Sequence, residues 1–480
     1  MDNCTGNFFQ NLVGNIHGSK AIHNRYSGFG IIGALFTWVL FYYIRTDIYH
    51  YSFSIPSGFY LGAFLYVLGW LSLHLLSGAY ESVYQKSAIT EILRTFIISL
   101  IGCLVLLFFF LLKNPQSNNT LYYKEFFSLL VPVFVVTVVT RLFYWKLTQK
   151  QLSKGSVRFN VLLIGSGKNA SNFFQLFRKN NENTGYYINS FLNINDNNGV
   201  KLPDTISRYN DLAMLEEIIK IQQIEEVIIT IEKNDRGLLT KILQLLSDKD
   251  VNIKITPDDV DIISGAVQTS NLMGVPLIDV HSGLLPSWQK NMKRFIDLVI
   301  SIAGLILLFP LFLYAAIRTK LSSSGPVFFL QERVGYKGKP FIIYKFRSMV
   351  FNAEPTGPML SSHDDQRITN WGKIMRKWRL DELPQLWNII MGEMSLVGPR
   401  PERKFYVDQI VLQHPEYNYV FKVKPGLTSW GMVKFGYASS VTEMILRMPY
   451  DLMYIENTSL LLDIRIMLHT LSTIFKGKGK

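Results

Sequence analysis

Four long apolar segments in the first third of the 480-residue chain constrain its fold more than any other feature. Each is close to the roughly 20 residues that an α-helix needs to cross a bilayer. They cover residues 28–44, 59–76, 96–112 and 126–142. The sequence therefore predicts a four-helix transmembrane bundle over residues 27–145, after a cytoplasmic tail of residues 1–26. Because that tail has no short apolar run with a small-residue cleavage site, we expect the first segment to remain as an anchor.

Basic residues near the segment ends predict the orientation of the bundle. On one side of the membrane, the basic residues near the segment ends are Lys20, Arg25, Lys86, Arg94, Lys146, Lys150, Lys154 and Arg158. On the other side they are Arg45, Lys113 and Lys124. By the positive-inside rule, both ends of the bundle and the whole chain after Trp145 are cytoplasmic. The only two cysteines, Cys4 and Cys103, offer no disulfide framework, which agrees with a reducing compartment.

The positive charge is concentrated in the C-terminal part of the chain. Residues 291–480 contain 25 Lys and Arg against 15 Asp and Glu, out of a net charge of +13 for the whole protein. Such a surface prefers anionic partners. No zinc-ligand spacing or RNA-binding aromatic motif occurs, so we expect membrane lipids or a nucleotide as partners and no nucleic acid.

Residues 146–272 read as a Rossmann-like domain with a parallel sheet. FNVLLIGSGKNASNFFQLF, residues 159–177, predicts a buried strand, a glycine turn and a helix, and strands and helices alternate after it. Gly165 and Gly167, with Ala170 in the third glycine position, approximate the dinucleotide fingerprint. These glycines are weak candidates for cofactor binding, because the tight turn alone also explains them. The only nearby acid for a ribose is Asp196.

A connector over residues 273–292 leads to a fifth apolar stretch over residues 295–317. Its length would allow a fifth span. Basic residues flank both ends, however, and Pro310 interrupts it about two thirds along. A fifth span would also place the basic C-terminal part outside the cytoplasm. We therefore expect a re-entrant helix that enters and leaves the membrane on one face.

Two adjacent carboxylates, Asp381 and Glu382, lie immediately before a predicted helix that begins at Pro384. Proline is favoured at the first helical position. The unpaired N–H groups and positive dipole end of a helix stabilise ionised acids and attract phosphate. Helix capping is the alternative interpretation of this pair. The nearby Arg376 and Arg400 favour chemistry on a phosphate.

Two further blocks contain basic candidates. FFLQERVGYKGKPFIIYKFRSM, residues 328–349, predicts a β-hairpin with Lys345 and Arg347 on one face, although a solvated strand edge explains the pattern equally well. HDDQRIT, residues 363–369, places Arg367 beside two acids, which a charged loop would also explain.

The chain from residue 293 to its end resembles the bacterial sugar transferase family, the polyprenyl-phosphate hexose-1-phosphate transferases. The motifs that carry the resemblance are KRFIDL, QERVG, YKFRSM, DDQRIT, LDELPQLWNIIMGEMSLVGPRP, KPGLTSWG and YDLMYIENTSLLLDIRIMLHT. The layout of the whole chain is similar to the large monotopic phosphoglycosyl transferase form of that family. The resemblance implies an α/β catalytic domain over residues 293–480 with a re-entrant membrane helix over residues 295–317.

This resemblance implies transfer of a hexose-1-phosphate, with glucose or galactose expected, from a UDP-sugar to undecaprenyl phosphate. UMP would be released, in the first membrane step of exopolysaccharide, capsule or O-antigen synthesis. Asp381 would be the nucleophile and Glu382 a catalytic ligand of Mg²⁺. The residues expected to bind the substrate phosphates are Arg376, Arg400, Lys345, Arg347 and Arg367. A bacterial inner-membrane protein is implied, with its catalytic domain on the cytoplasmic face and a homodimeric state.

Pro310 matches the proline that breaks the family's re-entrant helix. The chain departs from the family pattern at Phe309, where a serine is frequent, and at Gln366, where a proline is frequent. Two other functions stay open. One is a non-catalytic membrane assembly protein whose sheet domain senses a nucleotide. The other is an NAD-dependent sugar-nucleotide enzyme, which the absence of any Tyr-x-x-x-Lys pair disfavours.

Overall fold

A computed structural model of the protein describes most of the chain. The described residues are 20–50, 52, 55, 57–81, 84, 86–113, 119–180, 185–194, 202–203, 205–231, 236–246, 249, 251–257, 275–280, 285–354, 357–360 and 365–475. Asp196 and most of the N-terminal tail therefore lie outside the described residues.

Four helices near the N-terminus are long and apolar enough to cross a membrane. They are α1 (Lys20–Tyr49), α2 (Phe59–Leu76), α3 (Ala88–Lys113) and α4 (Asn119–Ser153). Three of them extend well beyond the predicted apolar segments, and α4 has 35 residues. The side chain of Leu152, near the end of α4, belongs to the core of the following domain. This shared packing joins the membrane bundle to that domain.

The described residues of the sheet domain, which extends over residues 159–279, form six strands and three helices. Its strands are β1 (Phe159–Gly165), β2 (Tyr186–Asn193), β3 (Ser207–Tyr209), β4 (Glu226–Thr230), β5 (Asn252–Ile255) and β6 (Ile278–Asp279). Its helices are α5 (Gly167–Asn180), α6 (Leu215–Ile221) and α7 (Arg236–Leu246), and a 3₁₀ turn at Leu212–Met214 precedes α6. The predicted alternation of strands and helices is present, whereas the short strands β3 and β6 were not predicted.

The strands form one sheet in the order β3-β2-β1-β4-β5-β6. The pairs from β3 to β5 are parallel, as predicted, and β6 runs antiparallel to β5. Alternate residues of β1 enter two separate cores: Val161 packs in one and Leu162 in the other. A strand with both faces buried reads as a continuous apolar run, as β1 does.

The C-terminal part contains eight helices and four strands in the described residues. The helices are α8 (Ser287–Leu307), α9 (Phe309–Ser322), α10 (Asn370–Lys377), α11 (Gln385–Met391), α12 (Lys404–Gln413), α13 (Trp430–Lys434), α14 (Val441–Glu456) and α15 (Leu460–Phe475). The strands are β7 (Phe328–Val334), β8 (Pro340–Phe346), β9 (Ser395–Val397) and β10 (Gly426–Thr428). Strands β7 and β8 form the predicted antiparallel hairpin, and β9 pairs with β10 in parallel.

The fifth apolar stretch forms two consecutive helices, α8 and α9, and the helix axis bends by 64° between them. Leu308 separates them, and Pro310 lies in the first turn of α9, where a proline needs no hydrogen-bond partner for its nitrogen. The break therefore lies where the proline predicted it. A bend of this size is compatible with a re-entrant pair or with one broken span, so the path through the membrane stays a prediction.

The start of α8 contacts the end of α2. Asn291 donates hydrogen bonds from its amide nitrogen to the carbonyl of Leu75, at 2.8 Å, and to the carboxylate of Glu81, at 3.1 Å. Gly78 has a φ of +67°, and a Cβ there would lie 2.6 Å from the Cβ of Ser287. Only glycine allows this close approach. The first two turns of α8 are thus level with the end of a candidate membrane span.

Candidate active site

Asp381 and Glu382 lie in a 3₁₀ turn, Leu380–Glu382, between α10 and α11. Pro384 is the N-cap of α11, so the helix begins one residue later than predicted, at Gln385. The turn is entered through Arg379, whose φ of 54° is unusual for a residue other than glycine. Both carboxylates are buried, with 9% of Asp381 and 6% of Glu382 exposed. Buried charges of this kind are costly unless paired.

Three basic side chains surround the carboxylate of Glu382. Lys345 and Arg400 each place a nitrogen 3.4 Å from its Oε1, and Arg379 places one 3.7 Å from its Oε2. Burial alone would raise the pKa of Glu382. The charges of Lys345, Arg400 and Arg379 outweigh burial and lower it to about 2. Glu382 is therefore ionised across the physiological range.

Asp381 has a different environment from its neighbour. It makes no ion pair within 4 Å in the part of the chain that the structure describes. Burial raises the pKa of Asp381, and the charge of Glu382 raises it further, whereas Lys345 and Arg376 lower it. A carboxylate that is not locked in an ion pair keeps its oxygen lone pairs available for a new bond. The two adjacent acids are thus suited to different tasks.

The hairpin and α10 supply two of the surrounding basic groups. Burial lowers the pKa of Lys345 to about 8, although Glu382 acts in the opposite direction. Arg376, in the last turn of α10, donates from its Nε to the hydroxyl of Ser348, at 2.9 Å. Both residues were predicted to bind substrate phosphates, and both lie beside the carboxylate pair.

Arg400 is presented by a turn that a buried ionic network holds in place. Glu402 accepts hydrogen bonds from Arg333, at 3.1 Å, and from Arg447, at 2.9 Å. Arg333 also donates to the carbonyl of Pro401, at 3.0 Å. Because Arg447 and Glu402 are almost fully buried, this network fixes the backbone of Pro401 and Glu402, which directly follow Arg400 in the chain.

Tyr437 was not predicted as a site residue. The guanidinium carbons of Arg379 and Arg400 each lie 4.9 Å from the centre of its ring. An aromatic face attracts a cation, so the one ring can hold two like charges beside Glu382. Arg379 was also missed as a site residue. Its unusual φ is not visible in the sequence, and Tyr437 is 55 positions from Glu382.

Comparison with known proteins gives matches in two parts of the chain. Residues 288–477 match the sequence profile described as bacterial sugar transferase, and residues 76–257 match the profile described as CoA-binding domain. The UDP-N-acetylgalactosamine-undecaprenyl-phosphate N-acetylgalactosaminephosphotransferase of Aeromonas hydrophila is 44% identical over 197 residues, which are 41% of this chain and 47% of that protein. The UDP-glucose:undecaprenyl-phosphate glucose-1-phosphate transferase of Xanthomonas campestris pv. campestris is 36% identical over 263 residues, 53% of this chain and 54% of that protein. The chain thus spans about half the length of these two relatives.

A further relative is covered more completely. The UDP-glucose:undecaprenyl-phosphate glucose-1-phosphate transferase of Caulobacter vibrioides is 38% identical over 184 residues, which are 38% of this chain and 69% of that protein. The chain belongs to the bacterial sugar transferase family. Its sugar transferase segment, residues 288–477, contains the carboxylate pair and all the basic residues around it.

Two predicted phosphate-binding residues of the sugar transferase segment lie apart from the carboxylate pair. Arg347 donates to the carbonyls of Ser323 and Ser324, at 2.7 and 2.8 Å, and so ties the chain after α9 to the end of β8. Arg367 pairs with Asp365, at 2.5 Å between Nη2 and Oδ2. The structure does not bring either guanidinium to Glu382.

The two glycines predicted as weak cofactor ligands lie at the turn from β1 to α5. A Cβ on Gly165 would lie 2.0 Å from the hydroxyl oxygen of Thr230 and 3.3 Å from the Cβ of Ala170. Close packing of α5 and β4 is therefore enough to require glycine at this position. Gly167 is the first residue of α5.

The Mg²⁺ implied for this family can be tested against the donors that are present. Among the described residues, no group of three or more His, Cys, Asp and Glu side chains could hold a metal ion. Mg²⁺ often takes one or two protein carboxylates and completes its shell with substrate phosphates and water. The site fits an ion held by Glu382 together with a diphosphate, and does not fit a closed cage of protein ligands.

Proposed function

We propose that the protein is a membrane-bound phosphoglycosyl transferase. It transfers a hexose-1-phosphate from a UDP-sugar to undecaprenyl phosphate and releases UMP. Family membership and the names of the relatives support the two substrates. Glucose and galactose are the expected sugars. The observation that carries the proposal is the asymmetry of the acid pair, in which Glu382 is held by three cations while Asp381 makes no ion pair among the described residues.

The reaction consists of two displacements at one phosphorus atom. A carboxylate oxygen of Asp381 attacks the phosphorus that bears the sugar, the bond to the UMP oxygen breaks, and UMP leaves. A phosphate oxygen of undecaprenyl phosphate then attacks the same phosphorus and restores the carboxylate. Splitting the transfer in this way means that the two anionic substrates never have to react with each other directly.

The basic residues around Glu382 offset the charge of the diphosphate. Arg400, Arg379 and Lys345 lie on one side of the acid pair, and Arg376 supplies a further charge near Asp381. A Mg²⁺ ion held by Glu382 would add Lewis-acid polarisation of the phosphate oxygens. Fixed cations of this kind stabilise the negative charge that develops on the leaving UMP.

We also propose where the chain after α4 lies and how α8 and α9 enter the membrane. The chain after α4 lies on the cytoplasmic face of the bacterial inner membrane, and α8 with α9 enters and leaves the bilayer on that face. The 64° bend at Leu308 and the flanking Arg294 and Arg318 support re-entry. The protein acts as a homodimer in the first membrane step of exopolysaccharide, capsule or O-antigen synthesis.

The test is the substitution Asp381→Asn, assayed by UMP release from a panel of UDP-sugars with undecaprenyl phosphate. We expect a loss of about 1,000-fold or more, because the amide cannot act as the nucleophile. A UDP-sugar labelled at the sugar-bearing phosphorus should label the wild type covalently and leave the variant unlabelled.

The matched control is Asp408→Asn, an exposed acid that pairs with Lys404 at 2.8 Å on the surface of α12. It should retain wild-type turnover. Turnover of Asp381→Asn at the wild-type rate would exclude Asp381 as the nucleophile. A wild-type protein that binds nucleotide but releases no UMP with any UDP-sugar would favour a nucleotide-sensing assembly protein instead.

A further inference from the structure

A second group of basic residues lies at the opposite end of α11 from the acid pair. It consists of Lys290, Lys293 and Arg294 at the start of α8, and Lys424 just before β10. Gly392, which follows α11, marks where these elements meet. A Cβ on Gly392 would lie 3.4 Å from a guanidinium nitrogen of Arg294 and 3.5 Å from the Nζ of Lys424.

Only part of this basic cluster is neutralised by protein groups. Arg294 donates to the carbonyls of Ile389 and Ile390, at the end of α11. Lys293 is paired with Asp463, at 2.5 Å. The ammonium groups of Lys290 and Lys424 make no hydrogen bond or ion pair with any described residue.

Lys424 is destabilised as a cation in this cluster. Burial, together with the charges of Arg294, Lys290 and Lys293, lowers the pKa of Lys424 to about 8, while Asp297 acts in the opposite direction. The backbone N–H of Leu396 already binds to the Asp297 carboxylate, at 3.0 Å. An added anion would relieve this repulsion.

The cluster lies at the level where a membrane surface is expected. Asn291, within the same turn of α8 as Lys290 and Arg294, binds to Leu75 in the last turn of the candidate span α2. Lysine and arginine at this depth attract the phosphates of anionic lipids.

A small cleft lies beside the cluster, between α8, β9 and α15. Its lining includes the charged residues Lys293, Asp297 and Asp463 as well as aliphatic side chains such as Ile296 and Leu396, so it is too small and too polar for an acyl chain. One side of α15 also exposes an apolar stripe at helical spacing, formed by Leu461, Ile464, Leu468 and Leu471. Lys293 pairs with Asp463 of α15, so this stripe lies beside the basic cluster. A cationic cluster next to an exposed apolar stripe is complementary to the headgroup and the acyl chain of a lipid.

We propose that the basic cluster of Lys290, Lys293, Arg294 and Lys424 binds the phosphate of an anionic phospholipid from the surrounding bilayer, with an acyl chain along the exposed apolar stripe of α15. The occupant is a bilayer lipid and not the acceptor substrate. The seven residues of α11, roughly 10 Å of helix, separate the cluster from the turn that holds Asp381. A phosphate bound at Lys424 is therefore out of reach of that carboxylate.

The first test uses the wild-type protein in nanodiscs of phosphatidylcholine, with or without phosphatidylglycerol. An amine-acylating reagent is added at pH 8, and modification of Lys424 is followed by peptide mass spectrometry. Phosphatidylglycerol should slow acylation of Lys424 by about tenfold, because two lysines contact the phosphate. Lys339, an exposed lysine at the tip of the β7–β8 hairpin, should react equally in both discs. Equal rates at Lys424 in both discs would overturn the proposal.

The second test counts phosphatidylglycerol retained through detergent purification of the full-length protein. The double variant Lys290→Gln, Lys424→Gln should lose the retained lipid, whereas Lys339→Gln should keep it. Retention by the double variant would overturn the proposal, and so would retention of a polyprenyl phosphate in place of phosphatidylglycerol. Neither measurement uses UMP release, so both outcomes are independent of the proposed transferase activity.

Discussion

The sheet domain and the sugar transferase segment each contain a turn before a helix and each bury acidic side chains, yet the surroundings of those acids differ. In the sheet domain, β4 is buried along its whole length, and close packing against Thr230 explains Gly165. In the sugar transferase segment, the turn buries Asp381 and Glu382 and gathers cations around them. A buried charge costs several kcal/mol before it is paired. The sheet domain also buries a carboxylate, Glu226 in β4, with Lys254 at 3.7 Å. The difference teaches that several cations gathered around one buried carboxylate mark the candidate active site better than buried charge alone or a glycine motif does.

The largest effect that would sharpen this comparison is expected from Glu382→Gln. The substitution leaves Lys345, Arg379 and Arg400 close together without their common counter-charge. Breaking a buried pair costs about 3–5 kcal/mol of folding stability. In the folded variant the cations are no longer held in place for the reacting phosphate, so UMP release should fall by roughly 100- to 1,000-fold, a loss of about 3–4 kcal/mol of transition-state stabilisation.

The control for this prediction is Glu354→Gln, which removes a more exposed partner of Arg403 at 2.8 Å. Its activity should stay within about threefold of the wild type. If Glu382→Gln kept more than a tenth of wild-type turnover, the gathering of cations at Glu382 would not be functional.

A smaller effect on catalysis is expected at Tyr437. In Tyr437→Leu the ring between Arg379 and Arg400 is lost, and each cation–π contact is worth about 0.5–1 kcal/mol or more. Loss of the two contacts should lower folding stability by about 1–2 kcal/mol. Because the two arginines are then held less firmly beside Glu382, the turnover number should also fall, by about 5- to 30-fold. Tyr437→Phe keeps the ring and should restore most of the turnover. Equal losses in both variants would assign the effect to the hydroxyl group instead.

In the sheet domain, Gly165→Ala should lower stability without affecting chemistry. The added methyl group would overlap with Thr230, and overpacking of this kind typically costs about 1–3 kcal/mol. Limited proteolysis of the sheet domain should detect the loss, while UMP release per folded molecule stays unchanged. Gly237→Ala is the matched control, because no atom lies within 4 Å of the added methyl group. A loss of turnover in folded Gly165→Ala would give the glycine turn a role in the reaction and so break the comparison.

The smallest effect is a pH dependence that arises from Lys345. Its pKa in the folded protein is about 8, below the ordinary 10.5, so protonated Lys345 opposes folding at neutral pH. This cost disappears as the pH rises from about 8 towards 10.5, and the contribution of Lys345 to stability therefore increases over that range. Activity should fall over the same range, because the cation is lost.

The measurement is kcat/KM of UMP release against pH, in the wild type and in Lys345→Arg. The guanidinium stays protonated, so the alkaline limb near pH 8 should move to higher pH in the variant. An unchanged limb would show that another group titrates there.

The presence and order of the long elements could be predicted because local patterns determine them, whereas the ends of three of the four N-terminal helices lie well outside the predicted apolar segments. The apolar run of β1, the hairpin of β7 and β8 and the break at Pro310 are all visible within a few residues of sequence. The strands β3 and β6 have three and two residues, too few to show an alternating pattern, and they form because β2 and β5 offer free edges.

The sequence by itself determined the membrane helices, the parallel sheet and the acid pair Asp381–Glu382, because each depends on residues that are neighbours in the chain. Only the tertiary structure decided which cations meet that pair. Lys345 and Arg347 are two positions apart, but β8 ends at Phe346, and Arg347 turns away to the carbonyls of Ser323 and Ser324. Tyr437 is distant from the acid pair in sequence, and Arg379 has an unusual backbone conformation. Contacts of this kind depend on how separate elements pack together, and no local sequence pattern predicts them.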